Sequence, residues 1–201
     1  RRPPRSTHCI SSAASDVYKR QAWADYNKDG NLDLVVSDFH PTHFNFLYYG
    51  DGQGGFTVDA NSVISQSATS AVGIAWGDYD DDSDADLFIA NTNGENNQLF
   101  RNDAGVFTEI TSGDIVNDGG QSVGGTWGDY DNDGDLDLFV TNSSIVEVNF
   151  FYENNGDGTF TKINTGLIVS DYSNAHGASW IDYDNDGDLD LTVANDQGAN
   201  N

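Results

Sequence analysis

The chain has 201 residues, of which 33 are acidic and eight are basic, giving a formal charge of −25 at pH 7. This charge argues against binding to nucleic acid or to an anionic membrane surface, because both require clustered lysine and arginine. It favours cation binding, and the 12% of aromatic residues argues against an acidic disordered tail.

The first 21 residues differ in composition from the rest of the chain. They hold five of the eight basic residues, which leaves three basic and 32 acidic residues in 22–201. The segment shares no motif with residues 22–201, so we interpret residues 1–21 as non-native or disordered, with a native basic arm as the alternative. Its Cys9 is the one cysteine, so no internal disulfide can form. No apolar stretch approaches the roughly 18 residues that span a bilayer, so no membrane insertion is expected.

From residue 22 onward the sequence repeats itself. The first motif occurs four times, as WADYNKDGNLDLVVSD from Trp23, WGDYDDDSDADLFIAN from Trp76, WGDYDNDGDLDLFVTN from Trp127 and WIDYDNDGDLDLTVAN from Trp180. The second motif lies between the copies of the first, as NFLYYGDGQGGFTV from Asn45, NQLFRNDAGVFTEI from Asn97 and NFFYENNGDGTFTKI from Asn149. The repeat length is therefore a little over 50 residues.

Each repeat predicts four short strands in chain order. In the second repeat the first strand is a run of small residues that ends at Trp76, and the second is the apolar run 86–90. The third is 98–101, a Gly/Asn/Asp turn comes next, and the fourth contains Phe107. Four strands in about 50 residues are typical of a β-propeller blade. The last repeat contains only two strands, so we predict an all-β fragment of about three and a half blades over residues 22–201.

Between the first and second strands, every repeat carries the pattern D-x-[DN]-x-D-[GS]-x-x-D. The candidate metal ligands at positions 1, 3, 5 and 9 are Asp25, Asn27, Asp29 and Asp33 in loop one, Asp78, Asp80, Asp82 and Asp86 in loop two, Asp129, Asp131, Asp133 and Asp137 in loop three, and Asp182, Asp184, Asp186 and Asp190 in loop four. Crowded carboxylates repel one another, and a hard divalent cation relieves that repulsion. Oxygen ligands suit Ca²⁺, whereas zinc and copper favour His or Cys. We therefore expect up to four Ca²⁺ ions, one per loop.

An EF-hand is excluded although the loops begin like one. Position 12, where an EF-hand has Glu, is apolar in all four loops, and the flanking segments are strands. The loops are also unequal. Ser83 replaces the turn glycine in loop two, and Asn27 and Lys28 make loop one less negative, so we predict that loops three and four bind tightest.

The two motifs together resemble the FG-GAP (VCBS-like) repeat family, whose best-known members are the propellers of integrin α-subunits. The resemblance covers about residues 22–201 and implies a propeller with calcium in the inner hairpin loop of each blade. Asn27, Ser83 and the missing Gly-Ala-Pro after the second strand depart from the pattern, and the sequence looks more like the bacterial branch than an integrin. Family members are mostly secreted or on the cell surface, so we expect an extracellular, cell-surface or periplasmic location.

The aromatic residues, the strand-end residues and the histidines are interpreted as structural before any functional role is considered. The four tryptophans and the residues Phe56, Phe107 and Phe160 are expected in the core, although the tryptophans could instead stack on carbohydrate. The four residues that end the second strands are expected to form turns, although they could line a ligand surface; they are Asp38, Asn91, Asn142 and Asn195. His176 shows no partner in sequence, and His40 and His43 could form a weak metal site.

No nucleophile–base motif stands out, so we expect a calcium-stabilised binding, adhesion or scaffolding module and not an enzyme. Its partners would be calcium, the rest of a propeller, and a protein or carbohydrate ligand. The resemblance leaves a second function open, because some polysaccharide lyases and a phospholipase carry related propellers: a part of a secreted carbohydrate-active enzyme. A purely structural spacer is the third.

Overall fold

The computed structural model describes residues 19–170, 172 and 174–196, which form strands joined by turns and short 3₁₀ segments. The first blade contains β1 (Lys19–Ala24), β2 (Asp33–Asp38), β3 (Phe46–Gly50) and β4 (Phe56–Val58). The second contains β5 (Ala71–Gly77), β6 (Asp86–Asn91), β7 (Gln98–Asp103) and β8 (Val106–Ile110). The third contains β9 (Ser122–Gly128), β10 (Asp137–Asn142), β11 (Phe150–Asn154) and β12 (Phe160–Ile163). Strands β13 (Ala175–Ile181) and β14 (Asp190–Asn195) begin a fourth blade.

The strands of each blade pair antiparallel in chain order, which gives three four-stranded sheets and one two-stranded sheet within the described residues. In the second blade the register pairs Trp76 with Leu87 and Gly77 with Asp86, so the Asp loop closes the β5–β6 hairpin. The equivalent hairpins pair Trp23 with Leu34, Trp127 with Leu138 and Trp180 with Leu191. The predicted all-β architecture of three and a half blades is confirmed.

The first strands of consecutive blades lie side by side, β1 against β5, β5 against β9 and β9 against β13. Their close approach depends on glycine, because a Cβ on Gly73 would lie 2.7 Å from the Cα of Gly124. Three one-turn 3₁₀ segments precede the first strands of later blades, at Ile64–Gln66, Asp114–Val116 and Leu167–Val169. These segments could not be predicted from the sequence, because a single turn is too short to show helical periodicity.

The core lies between blades, as expected for most of the aromatic residues. Trp127 packs against Tyr79 and Phe88 of the preceding blade, and Trp180 packs against Phe151 of the preceding blade. Phe107 is buried, and Phe160 is partly buried against the same cluster as Trp127. The prediction was wrong at the first blade, where Trp23 and Phe56 contact each other and are 46% and 44% exposed.

Strand β1 begins at Lys19, which pairs with Asp38, so the strand starts three residues before the predicted boundary at residue 22. Ladder pairing uses main-chain groups and needs no particular side chain, so the non-native interpretation of residues 1–21 stays a prediction. Residues 1–18 lie outside the described residues. Across the described part of the chain, no helix has the length and apolar character needed to cross a membrane.

Candidate metal centres

Each Asp loop turns through left-handed main-chain conformations at positions 4 and 6. The position-4 residues are Lys28, Asp81, Asn132 and Asn185, with φ between 56° and 61°. Position 6 is glycine in three loops, and Ser83 in loop two adopts the same hand with a φ of 73°. The expectation that Ser83 occupies a position suited to glycine is therefore confirmed. This turn directs the side chains of the earlier loop positions towards the start of the second strand.

Carboxylates at positions 1, 3 and 9 converge in three consecutive loops. In each set, one ligand atom from every residue lies within 4.8 Å of the others. The three sets are Asp78, Asp80 and Asp86 in loop two, Asp129, Asp131 and Asp137 in loop three, and Asp182, Asp184 and Asp190 in loop four. Three carboxylates at this separation offer several oxygens to one hard cation, as Ca²⁺ sites do.

The predicted ligands at position 5 do not belong to these sets. The carboxylate of Asp133 instead accepts a hydrogen bond from the main-chain N–H of Asp135 at 2.9 Å. Asp29, Asp82 and Asp186 accept the equivalent bond from the residue two positions later, at 2.8–3.0 Å. In this conformation position 5 stabilises the turn, while positions 1, 3 and 9 form the convergent centre.

The aspartate at position 9 has a second task that the sequence analysis missed. In loop two, Asp86 is fully buried and accepts hydrogen bonds from the N–H of Tyr79 at 3.0 Å and of Asn102 at 2.7 Å. Because Asn102 lies on β7, this carboxylate joins the loop to the third strand of its blade. Asp33 and Asp137 bridge in the same way, to Gly50 and Asn154.

Burial raises the pKa of these bridging carboxyl groups. The pKa of Asp86 rises to about 7 and that of Asp137 to about 6, with loss of solvation as the largest cause. Hydrogen bonds from main-chain N–H groups oppose the rise, and the neighbouring aspartates add to it. The pKa of Asp80 is raised too, by burial first and then by the charges of Asp82 and Asp78. A cation among these groups would favour their ionised forms.

One atom of loop two tests the fit to a cation directly. Oδ1 of Asp80 is buried and has no hydrogen-bond partner among the described residues. A buried carboxylate oxygen without a partner is costly unless it neutralises or binds a metal. Asp80 converges with Asp78 and Asp86, so the residues present in loop two fit a hard cation.

Loop one is built differently. Its position 3 is Asn27, so it lacks the third carboxylate that the other loops bring together. Its Lys28 forms an ion pair of 2.8 Å with Asp84 of loop two. Fewer carboxylates and a neighbouring ammonium group weaken the attraction for a cation, which agrees in direction with the predicted inequality of the loops.

The asparagines that begin the second sequence motif stabilise one end of the three four-stranded blades. At the end away from the Asp loops, Oδ1 of Asn97 accepts the N–H of Asn91 at 2.9 Å, and Oδ1 of Asn149 accepts that of Asn142. Asn91 and Asn142 are themselves buried and bond to the loop after their strand, which supports their interpretation as turn residues. Asn45 makes the equivalent contact with Asp38.

The histidines do not gather into a metal centre within the described residues. The rings of His40 and His43 stack with centroids 4.6 Å apart, and His43 Nδ1 lies 3.2 Å from Asp38 Oδ2. No partner of His176 was visible in the sequence, and the structure supplies one, because its Nε2 lies 2.8 Å from Asp196 Oδ2. That contact joins the start of β13 to the end of β14, which sequence spacing alone does not show.

Comparison with known families finds repeats in this chain that coincide with the Asp loops. A family model described as FG-GAP-like repeat matches three times, over residues 25–89, 78–140 and 137–193. The first two matches each contain two successive Asp loops, and the third contains loop four together with the last aspartate of loop three, Asp137. Together the matches extend over most of the chain.

Among curated proteins, Cartilage acidic protein 1 of Xenopus tropicalis is 31% identical over 148 residues, which is 68% of this chain and 23% of that protein. The Mus musculus protein of the same name is 30% identical over 134 residues, covering 62% of this chain and 21% of its own length. This chain therefore spans less than a quarter of these relatives. Among solved structures, an Agrocybe aegerita lectin described as recognising non-reducing terminal N-acetylglucosamine superposes with a TM-score of 0.56 at 19% identity, over 89% of this chain and 47% of the lectin. This likeness concerns the fold.

Proposed function

The chain belongs to the FG-GAP-like repeat family, and on that premise we propose that it is a calcium-binding β-propeller module for ligand binding, adhesion or scaffolding. The protein that contains it would be secreted or exposed at the cell surface. There, calcium at millimolar concentration fills even weak sites of the kind found in extracellular modules.

The observation that carries the proposal is the repeated convergence of the carboxylates at positions 1, 3 and 9. The same three positions meet in loops two, three and four. One acidic cluster is common on a protein surface, but the same geometry in three successive blades indicates a shared task. The unpartnered Oδ1 of Asp80 supports that task, because a buried anionic oxygen needs a counter-charge.

A ligand surface is proposed at the end of the blades away from the Asp loops. Two open depressions lie there, with volumes of about 410 Å³ and about 360 Å³. Each includes the loop after a blade's second strand, with Glu95 in the first and Glu147 in the second. The second also contains Lys162, Phe150 and the exposed ring of Tyr172, a mixture of charged and aromatic groups that suits a polar organic ligand.

Carbohydrate is one candidate ligand class, favoured by the fold likeness to a lectin. An array of glycans and proteins tests this, because a structural spacer should bind none of them. Membership of a carbohydrate-active enzyme is the remaining alternative, with catalytic groups supplied by other parts of a longer protein. The whole protein's sequence and an activity assay on polysaccharides would distinguish that case.

Calcium titration of the whole chain by calorimetry tests the proposed function. We expect binding at three or four sites, with magnesium competing weakly. The matched variant replaces Asp80, Asp131 and Asp184 by alanine, because position 3 belongs to the convergent sets but does not make the bridge to the third strand that position 9 makes, and it should lose the binding of loops two to four. As a charge control, Asp114→Asn removes an exposed carboxylate outside the loops and should change nothing. No heat of binding and no calcium retained in dialysis would contradict the proposal.

A further inference from the structure

The Asp loops of neighbouring blades are joined by a buried asparagine. In the third blade, Nδ2 of Asn154 donates a 2.7 Å hydrogen bond to the carbonyl oxygen of Tyr79, in loop two. The main-chain N–H of the same residue donates at 2.8 Å to Oδ1 of Asp137, in loop three. Asn154 is 2% exposed and Asp137 1%, so neither bond competes with bulk water. One residue therefore contacts the Asp loops of two neighbouring blades, and in loop three it contacts a carboxylate of the candidate centre.

The same arrangement occurs one blade earlier. Nδ2 of Asn102 donates at 2.8 Å to the carbonyl oxygen of Tyr26 in loop one, and its N–H donates at 2.7 Å to Oδ1 of Asp86 in loop two. Asp86 in turn accepts the N–H of Tyr79, whose carbonyl is the acceptor for Asn154. A continuous chain of hydrogen bonds thus runs from loop one through loop two to loop three.

The position of Tyr79 makes this series of hydrogen bonds relevant to a bound cation. Tyr79 lies between Asp78 and Asp80, the two carboxylates of loop two that converge with Asp86. A cation that fixes these three side chains also fixes the peptide groups on both sides of Tyr79. The direction of its carbonyl then determines how well Asn154 is oriented, and the N–H of Asn154 holds Asp137 in place.

We propose that Asn102 and Asn154 are positioning residues that couple neighbouring calcium sites, so that filling one loop raises the affinity of the next. The inference rests on the proposed function, because it requires that the loops bind calcium. Thermodynamic linkage makes the effect reciprocal: loop three must strengthen loop two by the same factor.

A second set of contacts between loops shows where to test the coupling. Lys28 of loop one pairs with Asp84 of loop two at 2.8 Å, and Nδ2 of Asn132 donates at 2.8 Å to Asp188 of loop four. Both contacts join position 4 of one loop to position 7 of the next. Between loops two and three, these two positions hold Asp81 and Asp135. Two carboxylates without a proton between them cannot hydrogen-bond each other, so the coupling between loops two and three depends most on Asn154.

The test measures the calcium affinity of loop three in the whole chain, from the amide resonance of Gly134 in ¹H–¹⁵N spectra during titration with CaCl₂. Four chains are compared: the unchanged chain, Asp80→Ala, Asn154→Ala and the double variant. We expect Asp80→Ala to weaken loop three about fivefold when Asn154 is present, at the low end of typical coupling. With alanine at residue 154, the same change should alter the affinity less than about twofold.

Asn149→Ala is the matched control. Asn149 is also a buried asparagine of the third blade, but its hydrogen bond lies at the end of the blade away from the Asp loops. It should lower the melting temperature and leave the fivefold effect intact. If Asn154→Ala does not fold, Asn102→Ala is tested with Asp80→Ala by reading loop one at Gly30. An effect of unchanged size without the asparagine, or no effect in the unchanged chain, would overturn the coupling. Calcium-independent spectra of the unchanged chain would overturn the proposed function as well, so the two failures are distinguishable.

Discussion

The indole ring of Trp127 in the third blade lies directly against the main chain of Gly77 in the second. A Cβ on Gly77 would lie 2.6 Å from Cδ1 of that ring, far inside van der Waals contact. Gly128 and Trp180 repeat the relationship one blade later, at the same distance. The blades therefore pack by placing the tryptophan of one motif on the residue immediately after the tryptophan of the previous motif.

Gly77→Val should separate the second and third blades, because the added side chain forces the indole out of its place. We expect a loss of about 2 kcal/mol in the free energy of unfolding, as is typical of overpacking. Gly177→Ala is the control, since nothing lies within 4 Å of a Cβ there and its conformation does not require glycine. Urea unfolding monitored by tryptophan fluorescence measures both. Equal stability of the two variants would contradict the packing relationship.

Ser83→Gly should stabilise the chain, because Ser83 adopts a φ of 73° in the turn of loop two. An L-residue with a side chain is strained in this region, at a cost of about 1 kcal/mol relative to glycine. The reverse change in loop three, Gly134→Ser, should cost a similar amount at a φ of 101°. Thermal unfolding in a chelator measures both without the contribution of calcium. A lower melting temperature for Ser83→Gly would show that the strain is absent.

Asn27→Asp should strengthen calcium binding by loop one, because it supplies the carboxylate that the other loops have at position 3. We expect roughly a tenfold gain in affinity, since charge count is one of the determinants that tune such sites. Asp131→Asn makes the opposite change in loop three and should weaken that loop by a similar factor. Site-resolved titration at Gly30 and Gly134 separates the two loops. If neither substitution changes the calcium affinity of its loop, the ion binds elsewhere.

The stability of the metal-free chain should rise as the pH falls from about 7 towards 4. The pKa of Asp86 in the folded chain is about 7 and that of Asp137 about 6, both above the usual value of 3.8. The folded state therefore binds more protons than the unfolded state in this window, and protonation favours folding. Calcium requires the ionised forms, so its stabilising effect should shrink over the same window. Melting temperatures measured at several pH values with and without calcium would show both trends.

The repeat spacing and the aspartate register were sufficient to predict the fold, because each strand is short and each turn carries its own residues. The Gly/Asn/Asp turns and the apolar run after each loop are local signals, and Ser83 was recognised from local pattern alone. The sequence predicted correctly that positions 1, 3 and 9 form a converging set, but it also placed position 5 in that set. Nothing in the spacing of the aspartates requires the carboxylate of Asp133 to accept a hydrogen bond from Asp135 instead of joining the carboxylates of Asp129 and Asp131.

Contacts between blades could not be predicted from sequence in the same way. The carbonyl of Tyr79 and the side chain of Asn154 are 75 residues apart, and nothing in either motif pairs them. The exposure of Trp23 was missed for a related reason. Its motif follows the same pattern as that of Trp127, but Trp127 packs against the preceding blade, whereas Trp23 contacts Phe56 of its own blade. The recurring asparagine at residues 102 and 154 was the available signal, with Gly50 at the same place in the first repeat.

Thermal unfolding of the whole chain in calcium and in a chelator tests the central claim most directly. If the converging carboxylates hold calcium, each filled site adds about 2.7 kcal/mol when free calcium is a hundredfold above its dissociation constant, and the melting temperature rises with calcium concentration. Magnesium at the same concentration should give a smaller rise. Superimposable melting curves in millimolar calcium and in excess chelator would contradict the account.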